Sequence, residues 1–173
     1  FYSDDVTTAF IITPSFIQNY KTDKDLRLNK YYSLNKDNKY ISIKSGKSQY
    51  NCTFRNGEMY LTAAESAAHL NKLPEARNRL LQLMEKRYTQ AAYIEKKNAV
   101  EAMNQTELIK EVLNERALEL AIEGHRWFDL RRTTRPSIQK VIDGQNYVLE
   151  ENDSRYTLRI PQAAIDANPG LLN

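Results

Sequence analysis

The sequence predicts a mainly α-helical fold: a helix hairpin and a long charged helix, with long loops before them and a small C-terminal β-hairpin. Glycine and proline are scarce, at 5 residues each of 173. Apolar residues recur at three- and four-residue spacing from residue 57 onwards, whereas residues 1–55 carry no lasting helical stripe. We expect one domain over residues 1–173, divided into a loop-rich segment (1–55), a helical core (56–135) and a hairpin with a C-terminal tail (136–173).

Composition and charge exclude several classes of protein. Lys and Arg number 25 and Asp and Glu 22, and the resulting net charge of +3 is too small to predict nucleic-acid binding. The longest apolar runs, such as residues 9–12, fall far short of the ~20 residues that a membrane-spanning helix needs. Cys52 is the single cysteine, so the chain cannot form an internal disulfide or a thiolate metal site.

The first 55 residues are predicted to form a long ordered loop with one strand. Polar residues dominate from Asn19 to Asn51, and the alternation in residues 40–44 indicates an edge strand that ends at Ser45-Gly46. Loops of this length are uncommon unless they are functional or pack on a scaffold.

Residues 57–88 form the clearest helical hairpin. Asn56 is the expected N-cap of the first helix, Asn71-Lys72-Leu73 is the expected turn, and Pro74 opens the second helix. The predicted apolar stripes are Tyr60, Ala63, Ala64, Ala67 and Ala68 in the first helix and Ala76, Leu80, Leu83 and Met84 in the second.

The hairpin is compatible with a tetratricopeptide repeat, a helix–turn–helix of about 34 residues with small residues where its helices cross. The match is degenerate, because Ala67 stands where the repeat usually has tyrosine. An unrelated αα-hairpin is the alternative. A single repeat cannot bury its own hydrophobic face, so its packing partners must lie elsewhere.

The next segment is predicted to contain a connector and two helices. Residues 89–105 are weakly patterned and are expected to be mixed helix and connector. Thr106 is the expected N-cap of a long helix that runs to Gly124, where it bends or stops. A short helix follows from His125 to Arg132. The expected buried side of the long helix carries Ile109, Val112, Leu113, Leu120 and Ala121.

The tail is predicted to combine a helix with two short strands. Residues 138–142 are assigned to a helix, and residues 147–149 and 156–158 to strands on either side of a turn at residues 151–154. A final short helix or turn ends near residues 168–170.

Glu115, Glu119 and Glu123 lie four residues apart, so they share one face of the predicted helix and repel each other. Such a row persists when cations from outside the row neutralise it, and arginine suits this because its planar fork binds a carboxylate with two hydrogen bonds. We therefore expect a structural network of ion pairs. The nearest candidate cations are Arg116, Arg126, Arg131, Arg132 and Arg135.

Catalytic and metal-binding alternatives have little support. Two of these glutamates could serve as the acid and base of a glycosidase, but neighbouring arginines would lower the pKa of the acid. His125 follows Glu123 by two residues, which places the two side chains on different sides of a helix, and His69 is isolated. No phosphate-binding glycine-rich loop or nucleophile elbow is present. We predict no catalytic residue, no metal site and no cofactor.

Residues 115–132 closely resemble the signature of the SusD/RagB family of outer-membrane nutrient-binding lipoproteins, since Glu-Arg, Glu-Leu, Glu-Gly-x-Arg and Asp-Leu-x-Arg all fall in step. Residues 55–65 are similar to the start of the family's last tetratricopeptide-like pair, and residues 159–169 to its C-terminal ending. Asp25-Leu26-Arg27 is similar to an earlier loop motif. The signature residues carried over as structural are Glu115, Arg116, Glu119, Glu123, Gly124, Arg126, Asp129 and Arg132.

The resemblance covers the C-terminal part of the family, whose members are much longer and carry a lipidated N-terminal cysteine that Cys52 does not match. It implies a fragment of a glycan-binding protein on the outer-membrane surface, anchored by a lipid absent from this chain. It also implies delivery of the glycan to a SusC-type TonB-dependent transporter, without catalysis. A helical-repeat scaffold for proteins or peptides is the second hypothesis.

Tyrosine side chains are the candidates for glycan contacts, because an aromatic ring with a polar tip suits recognition. The candidates in the loop-rich segment are Tyr31, Tyr32, Tyr40 and Tyr50. The alternative is that these residues pack the long loop onto the helices. Trp127 lies inside the helical signature, so we expect it to pack in the core.

Overall fold

The computed structural model describes residues 11–21, 24–44, 55–168 and 170, which separate into two compact units, Phe1–Gly124 and His125–Asn173. The fold is mainly α, as predicted. Among the described residues of the first unit, the helices are α1 (Pro14–Ile17), α2 (Arg27–Tyr31), α3 (Asn56–His69), α4 (Leu73–Met84), α5 (Gln90–Ala102) and α6 (Gln105–Glu119). The expectation of a single domain stays a prediction.

Helices α3 and α4 form the predicted antiparallel hairpin, and α6 packs against α3. Ala64, Ala67, Ala68 and Ala76 are buried, so the small side chains do let the helices approach closely. Tyr60 and Ala63 were expected in the same stripe, but both are exposed, and Leu61 is buried instead. The main hydrophobic core consists of Leu61, Leu80, Leu81, Leu83, Met84, Tyr88, Val100, Leu108 and Val112 with the four alanines and Ala92.

Helix boundaries differ from the prediction by one or two residues at three N-termini. Helix α4 begins at Leu73, one residue before Pro74. Arg55 is the N-cap of α3, so Asn56 is its first residue. Asn104 rather than Thr106 caps α6, because its side chain accepts a hydrogen bond from the Glu107 amide at 3.0 Å while the Glu107 carboxylate accepts one from the Asn104 amide at 2.9 Å. This capping box is the stronger N-terminal signal. Most of residues 89–105, which were expected to be mixed helix and connector, form the regular helix α5.

The N-terminal segment contains more regular structure than the predicted loop with one strand. Strands β1 (Tyr32–Leu34) and β2 (Tyr40–Ser42) pair antiparallel, and the segment packs through a second cluster of Ile17, Tyr20, Leu28 and Tyr32. The Tyr20 hydroxyl donates a hydrogen bond to the carbonyl of Leu118 in α6 at 2.7 Å. The predicted strand end at Ser45-Gly46 lies outside the described residues.

The second unit contains α7 (His125–Arg132), strands β3 (Ile138–Ile142) and β4 (Gln145–Leu149), a 3₁₀ turn (Ser154–Tyr156) and α8 (Gln162–Ala167). Helix α7 has the predicted bounds. The predicted helix at 138–142 is wrong, and so is the predicted strand at 156–158. Asp143 and Gly144 both adopt positive φ, at 51° and 77°, and form the two-residue turn that joins β3 to β4. No helix in the described part of the chain is long and apolar enough to cross a membrane.

Candidate functional site: a buried charge cluster

Helix α6 carries Glu115 and Glu119 on its buried face, one turn apart. The helix ends at Glu119, and a turn with Ile122 and Gly124 at positive φ follows it. Glu123 therefore lies beyond the helix and not on a continuous helical row. These acids meet four cations in a charge cluster, which we define as Asp25, Arg27, Lys44, Arg55, Arg87, Glu115, Glu119 and Glu123.

A short antiparallel backbone pairing brings two parts of the cluster together. Asp25 pairs with Tyr88, the Leu26 amide donates to the Arg87 carbonyl at 2.8 Å, and the Thr89 amide donates to the Lys24 carbonyl at 2.9 Å. The loop before α2 is thus attached to the turn after α4, which places the side chain of Arg27 beside Tyr88.

Arg27 is the most buried cation of the cluster, with 1% of its side chain exposed. Its Nε and Nη2 donate to the two carboxylate oxygens of Asp25 at 2.9 and 2.7 Å, and Nη2 also donates to the Tyr88 hydroxyl at 2.7 Å. Its Nη1 lies 2.7 Å from Glu115 Oε1 and 3.5 Å from Glu119 Oε2. Glu115 Oε1 has this close ion pair but no aligned hydrogen bond, whereas Oε2 accepts one from Tyr88 at 2.8 Å.

Glu119 is fully buried and is bound by several donors from other segments. Arg87 binds it with two parallel hydrogen bonds, Nε to Oε2 and Nη2 to Oε1, both 2.8 Å long. Arg55 Nη2 donates to Oε1 at 2.9 Å, and the Tyr31 hydroxyl donates to the same oxygen at 3.3 Å. Since breaking a buried ion pair costs ~3–5 kcal/mol, this carboxylate joins the segments around it firmly.

Gly57 allows the start of α3 to approach Glu119. A β-carbon at this position would lie 2.6 Å from Glu119 Oε1 and 3.0 Å from its Cγ. Any other residue would therefore collide with a carboxylate that two arginines hold in place.

Lys44 binds carbonyl groups at the C-terminal end of α6. Its ammonium group donates to the carbonyls of Glu119 and Ala121, pairs with the carboxylate of Glu123, and lies 4.6 Å from the centre of the Tyr31 ring. Arg55 also pairs with Glu123, so this one acid binds two cations from different segments.

The pKa values of the two buried glutamates are shifted in opposite directions. Burial raises the pKa of Glu115, and the charge of Arg27 only partly opposes it. Burial would also raise the pKa of Glu119, but the hydrogen bonds and charge of Arg87 and the charges of Arg27 and Arg55 outweigh burial and lower it. Burial lowers the pKa of Lys44 to about 8, against the attraction of Glu123.

Opposite pKa shifts in two carboxyl groups can mark the acid and the nucleophile of a glycosidase. Here that interpretation fails on geometry. Glu115 and Glu119 are 1% and 0% exposed, and Nη1 of Arg27 lies between them, within reach of both. A sugar and a water molecule have no access to either carboxylate. Across the described ranges, no group of three or more potential ligands could hold a metal ion.

The predicted ion-pair network exists, and the cations that the structure shows in it are ones that the sequence analysis did not name. Arg116 points away from Glu119 and pairs with Glu58 at 3.2 Å, and Arg132 pairs with Asp129 at 2.7 Å within the second unit. The pairing cations are instead Arg27, Lys44, Arg55 and Arg87. Arg27 and Arg55 lie in the two sequence blocks upstream of α6 that resemble the family, residues 25–27 and 55–65. That resemblance was the signal that could have identified them as partners of the glutamates.

The three tyrosine candidates that the structure describes pack within the first unit. Tyr32 is 2% exposed, and its ring leaves no surface for a ligand. Tyr31 lies against Lys44 and Arg55, and its hydroxyl accepts a hydrogen bond from Arg55 at 2.8 Å. Tyr40 is half-buried and packs on the second cluster. Tyr50 lies outside the described residues, and ligand roles for Tyr31, Tyr40 and Tyr50 stay predictions.

The signature residues beyond Glu123 belong to the turn and to the second unit. Gly124 adopts φ +83° with open space around its α-carbon, so its backbone conformation is the feature that favours glycine. Asp129 is buried, and Arg126 is exposed. Trp127 is half-buried and stacks on Tyr156 with ring centres 5.1 Å apart.

Comparison with known proteins gives a family and a fold. A sequence profile described as the SusD family matches residues 14–173. No curated protein matches the chain. Among crystal structures, the chain is similar to a SusD-like carbohydrate binding protein from Bacteroides vulgatus ATCC 8482, with 20% identity and a TM-score of 0.59. The match covers 92% of this chain and 40% of that protein, so the chain spans less than half of the relative's length.

Proposed function

The chain belongs to the SusD family, and from this premise we propose that it is the scaffold part of a protein that binds glycans at the cell surface without transforming them. The full-length protein would be lipid-anchored in the outer membrane and would deliver the glycan to a TonB-dependent transporter of the SusC type. The family match over residues 14–173 carries this proposal. The structurally similar protein from Bacteroides vulgatus is a carbohydrate binding protein, which supports the same class of ligand.

The charge cluster supports a role in architecture and not in chemistry. Its most buried acids are bound by arginine and tyrosine donors, so their carboxylates are not available to a substrate. Together the cluster residues connect the N-terminal segment, the start of α3, the end of α4 and the end of α6. We propose that this connection holds the scaffold that presents the binding loops.

The test uses the full-length protein without its lipid anchor. Affinity electrophoresis and calorimetry against a panel of polysaccharides and peptides should show binding of at least one polysaccharide. Mass spectrometry of the same polysaccharide after long incubation should detect no shorter product. Release of shorter sugars would contradict the non-catalytic role, and retention of peptides alone would favour a helical-repeat scaffold for peptides.

A matched pair of variants separates architecture from ligand contact. Glu119→Gln should lower the melting temperature and leave the affinity per folded molecule unchanged. Glu111→Gln, on the same helix, changes an acid whose partner Lys96 is partly exposed, so it should lower the melting temperature much less and leave the affinity unchanged. A stable Glu119→Gln protein with a large loss of affinity would contradict the architectural role.

Detergent extraction and affinity capture from outer membranes should recover the transporter with the wild-type protein.

A further inference from the structure

The dipeptide Asn56-Gly57 at the start of α3 is the one place in the sequence where glycine follows asparagine. Because glycine has no β-carbon to shield its backbone nitrogen, the nitrogen of Gly57 can attack the side-chain carbonyl carbon of Asn56. The new N–C bond closes a five-membered succinimide ring, and the side-chain NH₂ group leaves as ammonia with the proton of the Gly57 amide. Water then opens the ring to aspartate or isoaspartate.

The helix does not engage either reacting group. Gly57 is the second residue of α3, and the first four amides of an α-helix have no acceptor within the helix. The N-cap is Arg55 and not Asn56, so the side chain of Asn56 does not make the hydrogen bond to the backbone that an N-cap asparagine makes. Any protection against this reaction must therefore come from geometry.

The helical backbone keeps the two reacting atoms apart. Ring closure requires rotation about the Cα–C bond of Asn56, out of the helical range, and this rotation moves Gly57. Gly57 is buried, and even one added carbon on it would lie 2.6 Å from Glu119 Oε1. That carboxylate is held by Arg87 and Arg55. The packing against Glu119 therefore opposes the rotation.

The chain around the dipeptide is held as well. The Arg55 carbonyl accepts hydrogen bonds from the amides of Glu58 at 2.9 Å and Met59 at 3.4 Å. The Arg55 guanidinium donates to the Tyr31 hydroxyl at 2.8 Å and to Glu119 Oε1 at 2.9 Å. The reaction therefore requires the first turn of α3 to open and these contacts to break.

We propose that Asn56 is a site of spontaneous deamidation, and that the charge cluster protects it by holding the first turn of α3 closed. The rate in the folded protein is then the rate in the open dipeptide multiplied by the fraction of molecules in which the turn is open. Isoaspartate adds a methylene group to the backbone before Gly57, so the glycine no longer reaches its place against Glu119. The inference does not depend on the ligand, and it would stand if the proposed glycan binding failed.

Peptide mapping by mass spectrometry tests the site and its protection. The full-length protein without its lipid anchor and a synthetic peptide of residues 51–62 are incubated at neutral pH, and the aspartate and isoaspartate products at Asn56 are separated and measured over time. The peptide should react, and the native protein should react at least about tenfold more slowly, because an opening free energy of ~1.4 kcal/mol already gives that factor. Equal rates, or a peptide that stays unmodified, would overturn the proposal.

A pair of variants tests whether the charge cluster provides the protection. In folded Glu119→Gln the rate at Asn56 should rise towards that of the peptide, whereas Glu111→Gln on the same helix should leave it close to the wild-type rate. An unchanged rate in folded Glu119→Gln would overturn the role of the cluster. If that variant does not fold, Arg87→Lys replaces it with the same two outcomes, because lysine keeps the charge but cannot make both parallel hydrogen bonds to Glu119.

Low concentrations of urea distinguish opening of one turn from unfolding of the whole protein. The effect of urea on an opening reaction scales with the surface that the reaction exposes. The wild-type rate at Asn56 should therefore change little below the unfolding transition. A rate that rises in proportion to the population of globally unfolded protein would overturn the local protection.

Discussion

Replacement of Gly57 by alanine tests whether the start of α3 is packed against the charge cluster. The new β-carbon would lie 2.6 Å from Glu119 Oε1, about 0.9 Å closer than a comfortable contact of ~3.5 Å. The carboxylate cannot move away, because Arg87 and Arg55 hold it. Overpacking of this kind costs ~1–3 kcal/mol. Alanine recovers up to ~1 kcal/mol through its helix propensity, so with the full recovery we expect a net loss of ~0–2 kcal/mol.

The assay is urea unfolding followed by circular dichroism, arranged as a double-mutant cycle with Glu119→Ala. Urea is uncharged and does not screen the ion pairs, as guanidinium would. In the Glu119→Ala background the colliding oxygen is gone, so Gly57→Ala should be neutral or slightly stabilising. The difference between the two backgrounds measures the coupling between the two positions.

Two results would refute this reasoning. If Gly57→Ala is as stable as the wild type and is not more favourable in the Glu119→Ala background, the close approach of α3 to Glu119 has no energetic consequence. If the loss persists unchanged in the Glu119→Ala background, its origin lies in the first turn of α3 and not in the charge cluster.

Three further predictions concern α6 and its acids. Glu119→Gln should lower the free energy of unfolding by ~3–5 kcal/mol because it leaves buried cations without their partner. Glu111→Gln should cost no more than ~1 kcal/mol, and equal losses in urea unfolding would contradict the special role of Glu119. Since the folded-state pKa of Glu119 lies below its ordinary value of 4.5, its contribution is complete above that pH and is lost as the pH falls through the folded-state pKa. The stability difference between wild type and Glu119→Gln should therefore shrink in acid urea titrations, and a difference that stays constant down to complete acid unfolding would contradict the lowered pKa. Asn104→Ala should cost ~1 kcal/mol through loss of the capping box, and a Thr106→Ala control that loses as much would place the cap elsewhere.

The periodic spacing of apolar residues correctly predicted the helices that bury a single regular apolar stripe. The buried residues of α4 follow the predicted spacing of Ala76, Leu80, Leu83 and Met84, and α7 begins and ends where its sequence indicated. These features depend on residues within one or two turns of each other, so a single segment contains the whole signal.

The partners of Glu119 could not be predicted in the same way. The excess of acids on α6 indicated that cations must neutralise them, but Arg27, Arg55 and Arg87 come from segments far away in the sequence. Periodicity contains no information about which distant arginine reaches a given carboxylate. Proximity along the chain favoured Arg116 and the arginines of α7, and this criterion does not identify Arg27, Arg55 or Arg87.

The error in the tail has a local cause. Residues 138–142 were assigned to a helix although Asp143-Gly144 follows them directly, and this dipeptide is a strong signal for a two-residue hairpin turn. Because the prediction considered only the apolar residues, it placed the hairpin several residues too far along the chain. The turn chemistry was the better guide to the register.

The partners of Glu119 also have a consequence for the order of folding events. Its hydrogen bonds reach residues 32, 64 and 92 positions away along the chain. Contacts that close such long loops form only after the elements that carry them have met. The carboxylate therefore acts late, when the hairpin of α3 and α4 and the N-terminal segment have already docked. Its removal should speed the unfolding reaction more than it slows folding, so this acid sets how long the native state lasts once it has formed.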